Sequence, residues 1–593
     1  MAVAAVAAYV NTLGADFTLD DVPIVVENGL ITDLGNIPVF FTTNYWGDSV
    51  RFTDKSLYRP LVIASYALNY AVHGLHPRGY HVVNVLLHAV ACVLLFFLIR
   101  ALFEDHRLAA VAALAFAVHP VHTEVVAGIV GRAEIMALVG TLTCCLGYCL
   151  ALRVPGPRNG GSRWAWLSLS ILGYGFGMFS KEIGVVAPVL ILLWEVLLPA
   201  RRRLLRGNLR AVLAFAAFVG VACAYLALRD AATRGMAANL GFIHVAPIDR
   251  VWTALRVCLE YVGLLVAPIR LSADYWITQV PIARAPWEPG VAAAIVVLLA
   301  MSALCVWSWR RVPAVAWGTL GFLAILFPVS NLPFAIGVMK AERLLYSPSA
   351  AFLVAVAALW TALSRRQKSA PLAWALFAVA GALLLVRTWV RNEDWRDNHA
   401  LAVATLRTSP ESPIFNTVMA NWLRARGQNA EARTYMLQAL KARPDDAENL
   451  YNLGNIELDE KHHEAAIGYY QDALERKPEF LSAINNLGRS LMDTNRLQEA
   501  AETFNRARKL RPADPAAYVN LSAVYIRLED LASAERLIDE ALRRFPNVAA
   551  LHWNAFRIYQ KLGRTGESKA AFQRAKELDP KIVETPDTRV RLD

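Results

Sequence analysis

The chain has 593 residues, of which 56% are hydrophobic, and a formal net charge of +11. Its mean hydropathy of +0.36 excludes an ordinary soluble protein. Arginine runs such as Arg201-Arg202-Arg203 and Arg365-Arg366 abut apolar segments, so the positive charge reads as cytoplasmic flanks of membrane spans and not as a nucleic-acid surface.

The apolar excess lies before residue 391, and all seven cysteines fall within it, which leaves no disulfide framework or zinc spacing. The opening MAVAAVAAYV lacks a basic n-region and a cleavage site, so it reads as part of a membrane helix, either short or begun upstream. About 20 apolar residues cross a bilayer as a helix. Further spans are expected near 81–103, 108–120, 133–153, 164–180, 184–199, 211–229, 289–309, 312–330, 344–363 and 371–390. The basic segments 153–163, 201–210, 310–311 and 364–368 are expected to be cytoplasmic. The chain must then cross an even number of times between 201–210 and 310–311. The stretch 251–269, with Arg256 and Glu260 inside it, is therefore expected to lie at the interface or to re-enter. The result is about eleven spans, with large outer loops at 14–79 and 230–288.

Several charged groups fall on the inferred outer face. Asp20-Asp21 opens the first loop, where adjacent acids supply either a general base or a helix N-cap. Arg59, in Tyr58-Arg59-Pro60, reads as an anion clamp or an exposed ion pair. The segment His119-Pro120-Val121-His122-Thr123-Glu124 carries residue types that hold a divalent metal, or a buried hydrogen-bonded network at a helix start. Charges inside or beside spans are expensive and tend to be functional. Arg132 and Glu134 (GRAE), Lys181 and Glu182 (SKE), and Arg343 (within KAER) meet that description. Cations at outer corners suit a lipid phosphate. Walker, Rossmann, nucleophile-elbow and zincin motifs do not occur, which argues against nucleotide-driven chemistry.

After residues 391–412, read as a linker, prolines recur at 410, 444, 478, 512, 546 and 580, a period of 34 residues. That is the length of one tetratricopeptide helix pair, so 413–580 is expected to hold five repeats, with 581–593 as a tail. The small residues Ala420, Gly454, Gly488 and Ser522 let the two helices of each unit approach, and Ala432, Ala466, Ala500 and Ala534 answer them. The fifth unit departs, with Phe556 and Ser568 at those positions. The stack is an α-solenoid with a concave groove.

Phe17-Thr18-Leu19-Asp20-Asp21, Tyr58-Arg59-Pro60-Leu61, HPVHTE, GRAE, SKE and AERLLY, in this order before the repeats, resemble the transmembrane-and-TPR O-mannosyltransferases. The resemblance covers nearly the whole chain. It implies an all-α protein: a polytopic GT-C-like membrane domain over 1–390 followed by the TPR solenoid. It implies an inverting glycosyltransferase that takes a mannose-like sugar from a polyprenyl-phosphate donor to a protein Ser or Thr on the non-cytoplasmic face. By the same resemblance Asp20 or Asp21 is the catalytic base. Arg59, Arg132, Lys181 and Arg343 bind the donor phosphate, with His119, His122, Glu124, Glu134 and Glu182 in support. The partners implied are the lipid-linked sugar and an acceptor protein held in the TPR groove. The Ala- and Arg-rich composition points to a bacterial inner membrane, and the span count places the repeats on its periplasmic side. The competing readings are a glycan or lipid acceptor, or a non-catalytic membrane scaffold.

Overall fold

The computed structural model describes the chain except for residues 48–55, 153–159, 199–202, 205, 235–244, 365–369 and 583–593. Arg201-Arg202 and Arg365-Arg366, which set the expected sidedness, and most of the expected tail lie outside the described residues. The described residues contain helices and no strand, in two compact units, Met1–Pro410 and Glu411–Asp593.

The first unit is built from α1 (Ala2–Tyr9), α2 (Pro60–His73), α3 (Pro77–Phe103), α4 (His106–Ala117), α5 (Arg132–Ala151), α6 (Gly160–Ser180), α7 (Ala187–Leu197), α8 (Leu209–Thr233), α9 (Pro247–Val266), α10 (Pro289–Ser308), α11 (Pro313–Leu326), α12 (Tyr346–Ser364), α13 (Ala370–Asp394) and α14 (Asn398–Thr408). Among the described residues six helices are long and apolar enough to cross a membrane: Pro77–Phe103, Ile129–Ala151, Leu209–Thr233, Pro289–Ser308, Glu342–Ser364 and Pro371–Asp394. A seventh is the pair His106–Ala117 and Pro120–Ala127, bent by 52°. Pro120 removes a backbone donor there, and His119 takes the N-cap position by accepting from the Val121 N–H. Of the eleven expected spans, Ala2–Gly14 and Pro313–Val329 are apolar but short. The other two, α6 and α7, are helical without meeting the measure of length and hydropathy.

The stretch 251–269 falls in α9, which is not among the candidate spans. Its Glu260 pairs with Lys340 at 2.8 Å and with Arg256 at 3.5 Å, so its embedded charges are answered within the protein. Residues 391–412 do not form a free linker. They continue α13 to Asp394, make α14 capped by Asp397 on the Ala400 N–H, and cluster with the first unit as far as Pro410.

The close approach of α5 and α6 places the site. A Cβ on Gly140 would lie 2.4 Å from the Gly177 nitrogen, and one on Gly173 would lie 2.8 Å from the Cys144 nitrogen. Such contact of backbones is how small residues drive helix association where lipid supplies no hydrophobic contrast. The two helices run antiparallel, so the start of α5 meets the end of α6.

The second unit is five antiparallel helix pairs: α15 (Pro413–Arg424) with α16 (Asn429–Ala442), α17 (Ala447–Asp459) with α18 (His463–Arg476), α19 (Leu481–Asp493) with α20 (Leu497–Leu510), α21 (Pro515–Arg527) with α22 (Leu531–Arg544), and α23 (Ala549–Lys561) with α24 (Thr565–Leu578). Gly454 seats the Tyr470 ring and Gly488 the Phe504 ring; a Cβ at Gly488 would stand 2.5 Å from the ring. In the fifth pair Phe556 replaces the small residue and instead packs its ring against Phe572, with centroids 5.2 Å apart.

Candidate functional site

The first loop turns on Leu19, whose φ of +45° is a left-handed conformation costly for a non-glycine residue. It is held from outside the turn: the Leu19 N–H donates to Asn398 Oδ1 at 2.9 Å and the Asp16 N–H to the Arg396 carbonyl at 2.8 Å. Phe17 anchors the same turn edge-on against Tyr80, with centroids 5.5 Å apart.

The adjacent acids beyond this turn have different fates. Asp21 is fully buried: Oδ1 accepts from the Val130 N–H at 2.9 Å, and Oδ2 from the Thr18 N–H at 3.0 Å and the Thr18 hydroxyl at 3.3 Å. Burial pushes its carboxyl up to about 7, against those hydrogen bonds, which favour the charged form. Asp21 ties the loop to the turn before α5. Asp20 is exposed, and its carboxylate makes no hydrogen bond among the described residues. Surrounding protein nevertheless raises it above the ordinary range by stripping hydration, with Arg343 pulling it back.

Arg343 is the cation within electrostatic reach of Asp20. Glu124, itself only 6% exposed at its side chain, clamps it twice, accepting from Arg343 Nη1 at 2.6 Å and from the Arg343 backbone N–H at 2.9 Å. Its Nε and Nη2 have no protein partner among the described residues. Lys181, just past α6, pairs with Glu134 at the start of α5. Arg59 pairs with Glu182 at 3.4 Å and lies over the Tyr45 ring, 5.2 Å from its centroid. Burial alone would push the Glu182 carboxyl up, but the Arg59 guanidinium overrides it and holds Glu182 below the usual range. Glu134 is within electrostatic reach of both Arg343 and Arg59. The structure therefore joins Asp20, Arg343, Glu124, Glu134, Lys181, Arg59 and Glu182 into one network. Each of the three cations has a carboxylate partner, but their side-chain exposure differs: 14% for Arg59, 11% for Lys181 and 38% for Arg343. Arg343 can take an anion without surrendering its clamp.

Arg132, expected among the phosphate-binding cations, is a correction. It is fully buried, and its donors are spent on Asn84 Oδ1 (2.8 Å), Asn69 Oδ1 (2.9 Å), the Tyr80 carbonyl (3.0 Å) and Ser65 (3.3 Å). It also stacks on Tyr66, 4.8 Å from the ring centroid. It is the polar pin between α2, α3 and α5. The HPVHTE residues also part company. His119 Nε2 donates to the Leu265 carbonyl at 3.0 Å, whereas His122 Nε2 meets Ser349 Oγ at 2.8 Å amid Phe116 and Tyr346. Only Glu124 faces the network. Among the described residues no group of three His, Cys, Asp or Glu side chains is placed to hold a metal ion.

Residues 59–226 match the family model described as dolichyl-phosphate-mannose-protein mannosyltransferase, and 417–479, 485–549 and 555–582 match tetratricopeptide repeats. The chain is thus similar to that mannosyltransferase family over residues 59–226 and to tetratricopeptide repeats over its C-terminal part. The curated relatives it is similar to include protein O-mannosyl-transferases. The chain is 28% identical over 477 residues to Protein O-mannosyl-transferase TMTC3 of Mus musculus, covering 76% of this chain and 51% of that protein. To Protein O-mannosyl-transferase TMTC4 of Mus musculus it is 30% identical, covering 68% of this chain and 60% of that one. It thus spans about half the length of the first of these relatives. A solved TPR protein, YrrB, aligns at 19% identity over 31% of this chain and 94% of its own, with a TM-score of 0.28. The chain is a multi-pass membrane protein.

Proposed function

We propose that the protein is an inverting glycosyltransferase moving a mannose-like sugar from a polyprenyl-phosphate donor to a Ser or Thr hydroxyl. The observation that supports this reading is an unpartnered, water-accessible carboxylate, Asp20, within electrostatic reach of the partly free guanidinium of Arg343. Asp20 takes the hydroxyl proton as the acceptor oxygen attacks the anomeric carbon. The bond from that carbon to the phosphate oxygen breaks, and the phosphate departs with the electron pair. Arg343 Nε and Nη2 meet the developing charge, as a fixed cation does most effectively where water is scarce. Lys181 and Arg59, closely paired, set the positive field around that position. The sugar enters with one anomeric configuration and leaves with the other.

The repeats collect the acceptor polypeptide, since stacked helix pairs offer an extended concave surface. We place the repeats on the non-cytoplasmic side of the membrane. The bonds by which Arg396 and Asn398 hold the Asp16–Leu19 turn support this reading. That side is the periplasmic one in a bacterial membrane, where a lipid-linked sugar replaces a soluble nucleotide donor. The test is transfer of labelled mannose from polyprenyl-phosphate mannose to a Ser/Thr acceptor by the purified chain. Transfer lost in Asp20→Asn supports the reading; transfer unchanged in that variant overturns it.

A further inference from the structure

The corner that carries Arg343 is clamped residue by residue. Lys340 pairs with Glu260 at 2.8 Å, and the Ala341 N–H donates to the Tyr261 hydroxyl at 3.1 Å, both on α9. Arg343 is held by Glu124. Glu342, fully buried between them, uses Oε1 to accept from the Ser272 N–H at 2.5 Å and the Tyr275 hydroxyl at 2.7 Å. Its other oxygen, Oε2, makes no hydrogen bond and faces Arg391 Nη2 at 3.7 Å.

Arg391 is out of place by the rules of its own helix. α13 exposes nearly all of its length, and its buried residues gather at the end: Thr388, Arg391 and Asn392. Thr388 donates to the Val118 carbonyl at 2.8 Å, and Asn392 donates to the Ala8 carbonyl at 2.9 Å. Arg391 itself is 1% exposed at its side chain, bonds Asp394 through Nη1 at 3.1 Å, and leaves Nε and Nη2 without a hydrogen bond. A guanidinium inside a span is costly to keep, and the structure spends it on a carboxylate one residue before the phosphate-facing cation.

We propose that Arg391 is a positioning residue for Arg343. Acting through Glu342, it locks the 340–343 corner so that the Arg343 guanidinium faces Asp20. Three carboxylates then hold the corner: Glu260 through Lys340, Glu342 through Arg391 and the 272–275 loop, and Glu124 through Arg343. Without the Arg391–Glu342 pair, the Arg343 side chain would keep its ion pair with Glu124 but lose its direction. This rests on the reading of Asp20 and Arg343 given above.

The test is a double-mutant cycle on the full-length protein, reading donor kcat/KM with acceptor KM as the control. Arg391→Met is expected to lower donor kcat/KM about tenfold with acceptor KM unchanged, and less than about twofold in an Arg343→Gln background, because coupled residues do not add. Arg391→Lys, which keeps the charge opposite Glu342, is expected to recover part of the loss. Glu342→Gln keeps the acceptor for Ser272 and Tyr275 and removes the charge. It is expected to show the same donor-specific loss and the same masking by Arg343→Gln, and it stands in if Arg391→Met fails to fold. An equal loss with or without Arg343 overturns the proposal and leaves the site reading intact. Wild-type donor kcat/KM in Arg343→Gln alone overturns both.

Discussion

Adjacent aspartates that look alike in the chain should separate cleanly on substitution. Asp20→Asn breaks no hydrogen bond, because the Asp20 carboxylate makes none among the described residues, and it removes a charge that the surrounding protein disfavours. The melting temperature is therefore expected to stay within about 2 °C, while transfer falls about 10²- to 10⁴-fold, the worth of a positioned general base. Asp21→Ala does the opposite. It leaves the Val130 N–H, the Thr18 N–H and the Thr18 hydroxyl without their acceptor. Unsatisfied buried donors cost about 1–3 kcal/mol each, and relief of a buried carboxyl offsets part of that, for a net loss of about 2–4 kcal/mol. Thermal unfolding in detergent and single-turnover transfer at a temperature where both variants are folded read the two effects apart. Near-normal transfer by Asp20→Asn, or an unchanged melting temperature together with abolished transfer in Asp21→Ala, would refute the assignment.

The remaining expectations concern pH and packing. Asp20 must be ionised to act, and burial raises its carboxyl, so kcat/KM should fall with acidification above the ordinary aspartate range near 4. Arg343→Met removes the charge that pulls Asp20 down, so the acidic limb should move further up in pH; a rate flat to pH 4 contradicts this. Asp21, raised to about 7 by burial, binds more protons folded than unfolded between its ordinary value and about 7. Its contribution to stability is present in acid and lost as pH rises through that window, so the wild-type melting temperature should fall from pH 5 to 7 more steeply than that of Asp21→Ala. Gly140→Val forces α5 off α6 where the backbones touch and should abolish both folding and the Lys181–Glu134 pair, seen as aggregation on size-exclusion chromatography. Gly488→Ala pushes a methyl into the Phe504 ring and should cost about 1–3 kcal/mol, less a helix-propensity gain below about 1, read as a lower melting transition.

The repeats were legible because their packing is local and periodic: a proline every 34 residues, a glycine facing an aromatic ring. The apolar helices were legible for the same reason, since hydropathy is a property of a window. The site was legible as a set of charges but not as an assignment. Nothing local distinguishes Asp20 from Asp21; that is decided by the left-handed Leu19 and by Val130, 109 residues from Asp21. Arg132 shares a motif with Glu134, yet it points the other way, into Asn69 and Asn84, two polar residues on apolar helices whose purpose the sequence leaves open. Arg391 did carry a readable signal: Thr388, Arg391 and Asn392 fall three and four residues apart, a polar stripe at the end of a largely apolar helix.

The most direct test of the central claim is the anomeric configuration of the product formed in a single turnover by the purified chain from a polyprenyl-phosphate mannose of known configuration. A single carboxylate that activates the acceptor, with Arg343 receiving the phosphate, predicts a glycoside of the opposite configuration, made by the wild type and absent with Asp20→Asn. A product of retained configuration, or one formed equally well by Asp20→Asn, would contradict it.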